Sequence, residues 1–286
     1  MPRFDGKVAI VTGGALGIGG ATSRKLASEG ANVLIADYDS AAGKANAKRI
    51  TEAGGTARAS VVDVSKSADI ARMVQEAVDE WGRVDVLVQN AFSVVTLEGE
   101  IYGDAVSVDE EWWDRGMAVL AKAVYLGAKH VVPHMRRQGG GAIVNLGSVH
   151  SVLQEWDNLV YESGKAAVLG MTRQMAIQYG PDNIRVNAIG PGHILTEGLK
   201  KMWESNPTGL QFFEQTYPLR RSGTPDEAAA AIAFLCSDEA SFITGAMLMV
   251  DGGLTVQLPE QLAARQARYA REHPEIRLPY EPGSII

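Results

Sequence analysis

The chain has 286 residues, 46% of them hydrophobic and 21% charged, with a formal net charge of −7. That balance excludes a disordered chain and argues against a general nucleic-acid or anionic-membrane surface. The single cysteine, Cys236, excludes an internal disulfide and fits a reducing compartment; within the apolar run 228–236 it reads as a small core residue, not a reactive thiol.

Short β-branched runs alternate with longer amphipathic ones. Strands are expected at 7–12, 32–37, 57–63, 84–90, 142–148, 184–189 and 246–250, with helices near 18–29, 41–53, 67–81, 109–137, 161–180 and 225–236. Val8-Ala-Ile-Val and Val86-Leu-Val are apolar without alternation, as in strands covered on both faces. Regular alternation of this kind implies right-handed βαβ units. The expected fold class is therefore α/β: one Rossmann-type domain over 1–286, with a doubly wound parallel sheet of about seven strands. Ligands of such sheets bind at the carboxyl ends of the strands.

Two stretches interrupt the alternation. Residues 191–224 carry Leu195, Leu199, Met202, Trp203, Leu210, Phe212, Phe213 and Tyr217 before a helix start at Thr224-Pro225-Asp226-Glu227. They read as a substrate lid or as a packed helical excursion; a lid would favour a substrate with apolar bulk. Residues 255–286 form a C-terminal extension with a polar helix near 259–272. Its Leu258, Leu262, Tyr269, Ile276, Leu278 and Tyr280 need cover, on a neighbouring subunit or over a substrate cleft. No apolar run approaches the roughly 18 residues of a membrane span. Asp5 and Lys7 stand where a signal peptide needs apolar residues, so a soluble cytoplasmic protein is expected.

After the first strand comes Thr12-Gly13-Gly14-Ala15-Leu16-Gly17-Ile18-Gly19, then a helix. Glycines let a backbone approach a phosphate closely, and the helix start offers unpaired N–H groups to it. Asp37, 18 residues after Gly19 at the end of the second strand, can accept both hydroxyls of an adenosine ribose and would repel a 2′-phosphate. The cofactor expected is NAD, not NADP. Asp63 and Asn90, ending the third and fourth strands, extend a polar row along the same edge, or serve only as turn and cap residues.

A tyrosine handles protons at neutral pH only if its pKa of about 10 is lowered, and a lysine four residues on along a helix can do that. Two such pairs occur. Tyr125 and Lys129 fall in the middle of a long helix, with Trp112 thirteen residues upstream. Tyr161 and Lys165 open a helix, with Ser148 thirteen residues upstream at a strand end. Only the second pair lies near the carboxyl edge with a hydroxyl to orient a carbonyl oxygen, so Ser148, Tyr161 and Lys165 are the catalytic candidates and Tyr125 is read as packing. His150 and His193 each follow a sheet-edge motif; with Phe92 and Trp203 they are the candidate substrate residues, a loop role being the alternative for the histidines. His130 and His134 share one helix face, but Pro133 lies between them and no acidic ligand accompanies them. No metal is expected.

Together these residues resemble the short-chain dehydrogenase/reductase family. The resemblance covers residues 5 to about 254: the loop 12–19, Gln89-Asn90-Ala91, Asn145-Leu-Gly-Ser148, Tyr161-x-x-x-Lys165, Val186-Asn-Ala-Ile-Gly-Pro-Gly192 and Val250-Asp-Gly-Gly253, in order. It implies that Tyr161, as phenolate, takes the proton of an alcohol while hydride passes to nicotinamide C4. Ser148 would hydrogen-bond the same oxygen, and Lys165 would lower the Tyr161 pKa and hold the nicotinamide ribose. The implied cofactor set is Gly13, Leu16, Gly17, Ile18, Gly19, Asp37, Tyr38, Asp63, Val64, Asn90, Ala91, Tyr161, Lys165, Pro191, Gly192, Ile194 and Thr196. The resemblance also implies a homotetramer or homodimer built on the helices near 109–137 and 161–180.

The sequence departs from the family at four places, one of them a C-terminus that runs about thirty residues past the usual end. Phe92 follows Gln89-Asn90-Ala91 where glycine is usual. The segment 92–111 looks a few residues long. Leu120 occupies the position of a relay asparagine. The expected function is hydride transfer between NAD(H) and a secondary alcohol or ketone with apolar bulk. The rival is a dinucleotide-binding regulator or scaffold with weak or no turnover, because of Leu120.

Overall fold

The computed structural model describes residues 2–92 and 102–279. The lengthening expected over 92–111 lies partly outside them, and Tyr280 wholly. Among the described residues, seven strands form one parallel sheet: β1 (Val8–Thr12), β2 (Asn32–Asp37), β3 (Thr56–Val61), β4 (Val86–Gln89), β5 (Gly141–Leu146), β6 (Ile184–Pro191) and β7 (Met247–Val250), in the order β3-β2-β1-β4-β5-β6-β7. The order reverses between β1 and β4, which opens a crevice at their carboxyl ends. Thr12 stitches that point together: its Oγ1 accepts from the backbone N–H of Asn90 at 3.0 Å and of Ala91 at 3.1 Å.

Helices α1 (Gly17–Ser28), α2 (Ser40–Glu52) and α3 (Ser67–Trp81) follow β1 to β3. Next come α4 (Glu110–Met117), α5 (Ala123–Arg137), α6 (Leu159–Tyr179), α7 (Glu197–Trp203), α8 (Pro207–Glu214), α9 (Pro225–Cys236) and α10 (Pro259–Glu272). One sheet face is covered by Ile70 and Met73 of α3, Leu126, Val131 and Met135 of α5, and Met175 of α6. The other is covered by Leu26 of α1, Ile50 of α2 and Ile232 of α9. Burying each such side chain contributes about 1.5–3 kcal/mol, which is why the inner strands carry apolar residues on both faces. Cys236 belongs to the second core, where burial pushes its thiol up to about 12. It is inert packing.

The chain start of α9 is a capping box: Thr224 Oγ1 accepts from Glu227 N–H, and Glu227 Oε2 accepts from Thr224 N–H, with Pro225 in the first turn. Three expectations need correction. The helix expected over 109–137 is broken by a π turn at Ala118–Lys122, centred on buried Leu120. Tyr125 is not core packing: 48% of it is exposed, with the Lys129 ammonium 5.9 Å from its ring centre. Strands β3, β4 and β5 also stop one or two residues early, leaving Asp63, Asn90 and Ser148 on the loops beyond. There their side chains bond to the loops instead of pointing from a pleat.

The C-terminal extension packs on its own chain. Arg277 carbonyl accepts from Asn206 Nδ2 at 3.1 Å, Thr208 Oγ1 accepts from Arg277 N–H at 3.2 Å, and Arg265 donates to the Gln215 carbonyl at 2.9 Å. It therefore braces α8 and the turn after it, while Leu258 stays exposed. No described helix is long and apolar enough to cross a membrane.

Candidate active site

The loop between β1 and α1 is shaped for an anion. Gly13 has φ +61°, and a Cβ at Gly19 would lie 2.0 Å from the Gly13 carbonyl oxygen, so neither position tolerates a side chain. Leu16 and Ile18 flank this turn; Leu16 provides no side-chain cap, and no acidic residue sits in the first turn of α1. The helix thus presents uncapped N–H groups. One already holds an anionic group: Gly17 N–H donates to Glu197 Oε2 of α7 at 3.2 Å. A dinucleotide phosphate fits the same donors.

Asp37 sits at the end of β2 with Oδ2 accepting from Ala15 N–H at 2.9 Å, which anchors the carboxylate beside the loop. Tyr38 next to it is exposed. Asp63 closes a turn: Oδ1 accepts from Ser65 N–H and Oγ, and Oδ2 pairs with Lys66 at 3.1 Å. Its pKa is lowered, the Ser65 and Lys66 bonds outweighing desolvation. Asn90 Nδ2 donates to the carbonyls of Thr12 and Gly13 and so locks the glycine loop. Both residues carry the turn roles that their sequence positions left open, while Val64 and Ala91 pack behind the crevice. Pro191 ends β6; Gly192, Ile194 and Thr196 follow, and Thr196 caps α7 with its methyl beside Gly17.

Ser148, Tyr161 and Lys165 meet at the carboxyl edge of β5. Ser148 starts a short 3₁₀ turn at Val149–Ser151, and its Oγ accepts from His150 N–H at 3.2 Å. Ser151 Oγ accepts from Ser148 N–H and donates to the Lys165 carbonyl at 2.8 Å, tying the serine loop to α6. Lys165 Nζ is buried and donates to the Leu146 carbonyl at 2.8 Å; desolvation lowers it to about 8. Tyr161 is pushed up by burial, against a hydrogen bond with Ser148 that pulls it down, and Glu162, Tyr102 and Glu155 add to the rise. Lys165 stands beside the same ring. Nζ lies over the phenol ring, 5.6 Å from its centre, and turns toward Leu146.

Phe92 closes over the pair, its ring 5.2 Å from Tyr161 and 5.4 Å from Lys165 Nζ. His150 stands edge-on to Tyr161 at 5.4 Å, with Nδ1 2.9 Å from Glu162 Oε1. His193 and Trp203 bond to each other in the free protein. Trp203 is buried and donates from Nε1 to His193 Nε2 at 3.3 Å; His193 Nδ1 then donates to Ser222 Oγ, which donates to Glu214 Oε1. Burial lowers His193 to about 4, so it stays neutral in this chain of bonds. With Trp203, Phe213 and Tyr217 around it, it sits in an aromatic cluster. His130 and His134 bond to Ser67 and Arg137 respectively, and no metal-ligand cluster occurs among the described residues.

The profile of a family described as enoyl-(acyl carrier protein) reductase matches residues 13–255. The chain belongs to the short-chain dehydrogenase/reductase family. This dehydrogenase/reductase is 38% identical to an uncharacterized oxidoreductase of Thermotoga maritima over 88% of its own length and 99% of that protein's. It is 33% identical to a 7alpha-hydroxysteroid dehydrogenase of Bacteroides fragilis, over 91% of its length and 98% of the relative's. The crystal structure of levodione reductase superposes with a TM-score of 0.82 at 32% identity, covering 90% of this chain and 100% of the other. As a member of the family the chain is an oxidoreductase of CH–OH and keto groups that binds a nicotinamide dinucleotide, and a regulator without turnover is not favoured.

Glu197 and Glu162 escaped sequence reasoning, since only the fold brings α7 to the glycine loop and His150 to α6. Because Glu197 occupies a donor that a phosphate would use, Glu197→Ala is expected to tighten NADH binding about two- to fivefold, the worth of one exposed hydrogen bond. Fluorescence titration checks it. Adenosine, which has no phosphate, should bind both proteins equally.

Proposed function

We propose that this dehydrogenase/reductase transfers a hydride between NAD(H) and a secondary alcohol or ketone with apolar bulk. The observation that carries it is the convergence of Ser148, Tyr161 and Lys165 under Phe92 at the carboxyl edge, beside a glycine loop flanked by Asp37. The bound nicotinamide would supply or accept the hydride at C4. Tyr161 would exchange the proton of the substrate oxygen, and Ser148 would hold that oxygen by a hydrogen bond. Lys165 would turn from Leu146 to the nicotinamide ribose.

For the cofactor, Gly13, Leu16, Gly17, Ile18 and Gly19 would cradle the pyrophosphate, and Asp37 and Tyr38 the adenosine ribose. Asp63, Val64, Asn90 and Ala91 would line the crevice, while Pro191, Gly192, Ile194 and Thr196 would border the nicotinamide. Apolar bulk is supported by the exposed Phe92, Tyr102, Val152, Leu153 and Trp156 on loops that border or lead into Tyr161, Trp156 being 92% exposed. A bacterial relative bearing the name of a hydroxysteroid dehydrogenase supports the same class. Exposed Tyr125 on α5 and Ile177 on α6 support a homodimer or homotetramer through these helices, and a cytoplasmic setting fits the lone buried thiol.

NADH should bind at least about a hundredfold more tightly than NADPH, because a 2′-phosphate would face the Asp37 carboxylate with no neighbouring cation in the loop. Asp37→Ala should narrow that gap tenfold or more. Fluorescence titration with both cofactors decides it, and equal wild-type affinities overturn the assignment.

A further inference from the structure

On the Lys165 side of Tyr161, Nζ bonds among the described residues to no side chain that could pass a proton outward. Leu120 fills that side with hydrocarbon: it packs so tightly on Gly164 that a Cβ there would come within 2.5 Å of Leu120 Cβ. Lys165 Nζ is buried and spends a proton on the Leu146 carbonyl. The π turn at Ala118–Lys122 remains, but the side chain at its centre neither donates nor accepts.

The opposite side of Tyr161 is built differently. His150 meets the phenol ring edge-on, its ring centre 5.4 Å away at 74°, and its side chain keeps 27% of its surface accessible. Its Nδ1 lies 2.9 Å from Glu162 Oε1, which also accepts from Glu155 N–H at 2.7 Å. Glu162 is buried, and its Oε2 has no partner among the described residues. A carboxylate accepts and does not donate, so Nδ1 carries a proton, and in the neutral imidazole Nε2 keeps its lone pair. The His150 backbone is held in turn by Ser148 Oγ. The ionisable groups acting on this cluster are Glu162, Glu155 and Tyr102, with Lys165 behind Tyr161.

We propose that His150, oriented by Glu162, carries the proton between the Tyr161 hydroxyl and solvent, in place of a route through position 120. In alcohol oxidation the substrate proton reaches Tyr161 Oη. The Oη–H bond then breaks as an N–H bond forms at His150 Nε2, directly or across a bridging water, and the imidazolium gives that proton to bulk water. Tyr161 is left as phenolate for the next turnover. Ketone reduction runs the same transfers backward. Glu162 is a positioning residue: it fixes the tautomer that leaves Nε2 able to accept.

The proposal rests on the hydride-transfer reading above, and its test separates the two. Acetophenone, cyclohexanone and benzylacetone with NADH are the probes. His150→Ala is expected to lower kcat about a hundredfold, within the range of a positioned proton transfer, with NADH affinity and Tm nearly unchanged. Added imidazole should restore kcat at least tenfold, and Leu120→Asn should restore part of the loss on the same background; a merely structural histidine would respond to neither. A kcat within threefold of wild type, or a loss that neither treatment relieves, overturns the relay. If His150→Ala unfolds, His150→Gln carries the test by the same kcat threshold. Wild-type protein that reduces none of the three ketones, or a rate that Tyr161→Phe leaves intact, overturns the hydride-transfer reading and the relay with it. A rate lost in Tyr161→Phe but indifferent to His150 overturns the relay alone.

Discussion

Tyr161→Phe is expected to cut turnover at least a thousandfold while NADH affinity stays within twofold of wild type. The substitution removes one oxygen and keeps the ring that Phe92 and His150 pack against, so the site stays folded. What disappears is the group that exchanges a proton with the substrate oxygen, and positioned proton transfer supplies about 10²–10⁴ of the rate. The Ser148 hydroxyl would remain beside the substrate oxygen and hold it by a hydrogen bond. The pH behaviour has a definite sign. Burial, with Glu162, Tyr102 and Glu155, raises Tyr161 above its ordinary value of 10, so below that pH the free enzyme carries a phenol. That form donates, and it serves ketone reduction. Oxidation needs the phenolate, so it should gain rate as pH rises, with the positive charge of NAD and of Lys165 helping ionisation once the cofactor is bound. Tyr125→Phe, on the exposed face of α5, should leave the rate unchanged. NADH absorbance with the ketones named above reads both variants, and a reversed pair of results would place the chemistry at the other Tyr-x-x-x-Lys pair.

Much of this site lies within short stretches of sequence, which is why it could be read there. Tyr161 and Lys165 are one helical turn apart, Gly13 to Gly19 are one loop, and α3 and α9 span the ranges their periodicity sets, α9 starting at its capping box. What the sequence hid depends on distant contact. The π turn around Leu120 has no local marker of the glycine or proline kind; it exists where α4 and α5 pass over Gly164. His193 follows a sheet-edge motif and so resembles a pocket residue, yet Trp203 and Ser222, 10 and 29 residues further on, bond to its two ring nitrogens. Glu197 meets Gly17 from 180 residues away. Asp63 and Asn90 were placed at the correct edge, but their bonds to neighbouring loops emerge only when strand ends are known to within a residue.

Lys165→Met is expected to lose turnover at least a hundredfold and, at the same time, to make the protein more stable at pH 7. Activity falls because the ammonium that would hold the nicotinamide ribose and favour the Tyr161 phenolate is gone. Stability rises for a separate reason. Lys165 is buried, with desolvation bringing it from 10.5 to about 8. A lysine lowered in the folded state binds its proton less well there than in the unfolded chain, so below pH 8 the fold carries the full cost of keeping it charged. At about 1.4 kcal/mol per pKa unit that cost is about 3 kcal/mol. Methionine has a similar length and no charge, but it leaves the Leu146 carbonyl without its donor, at a cost of about 1 kcal/mol. The net gain is about 2 kcal/mol, which raises Tm by several degrees in a chain of this size. The sign of the pH dependence distinguishes this cause from better packing. Between pH 8 and 10.5 the unfolded chain holds the proton that folded Lys165 has released, so wild-type stability should climb through that interval relative to the variant. The Tm difference should then shrink, and above pH 10.5 only the unpaired Leu146 carbonyl should remain to favour the wild type. Thermal unfolding of both proteins at pH 7, 9 and 10.5 measures it; a Met variant that is no more stable at pH 7, or whose advantage does not shrink with pH, would show that Lys165 is not held charged against its surroundings.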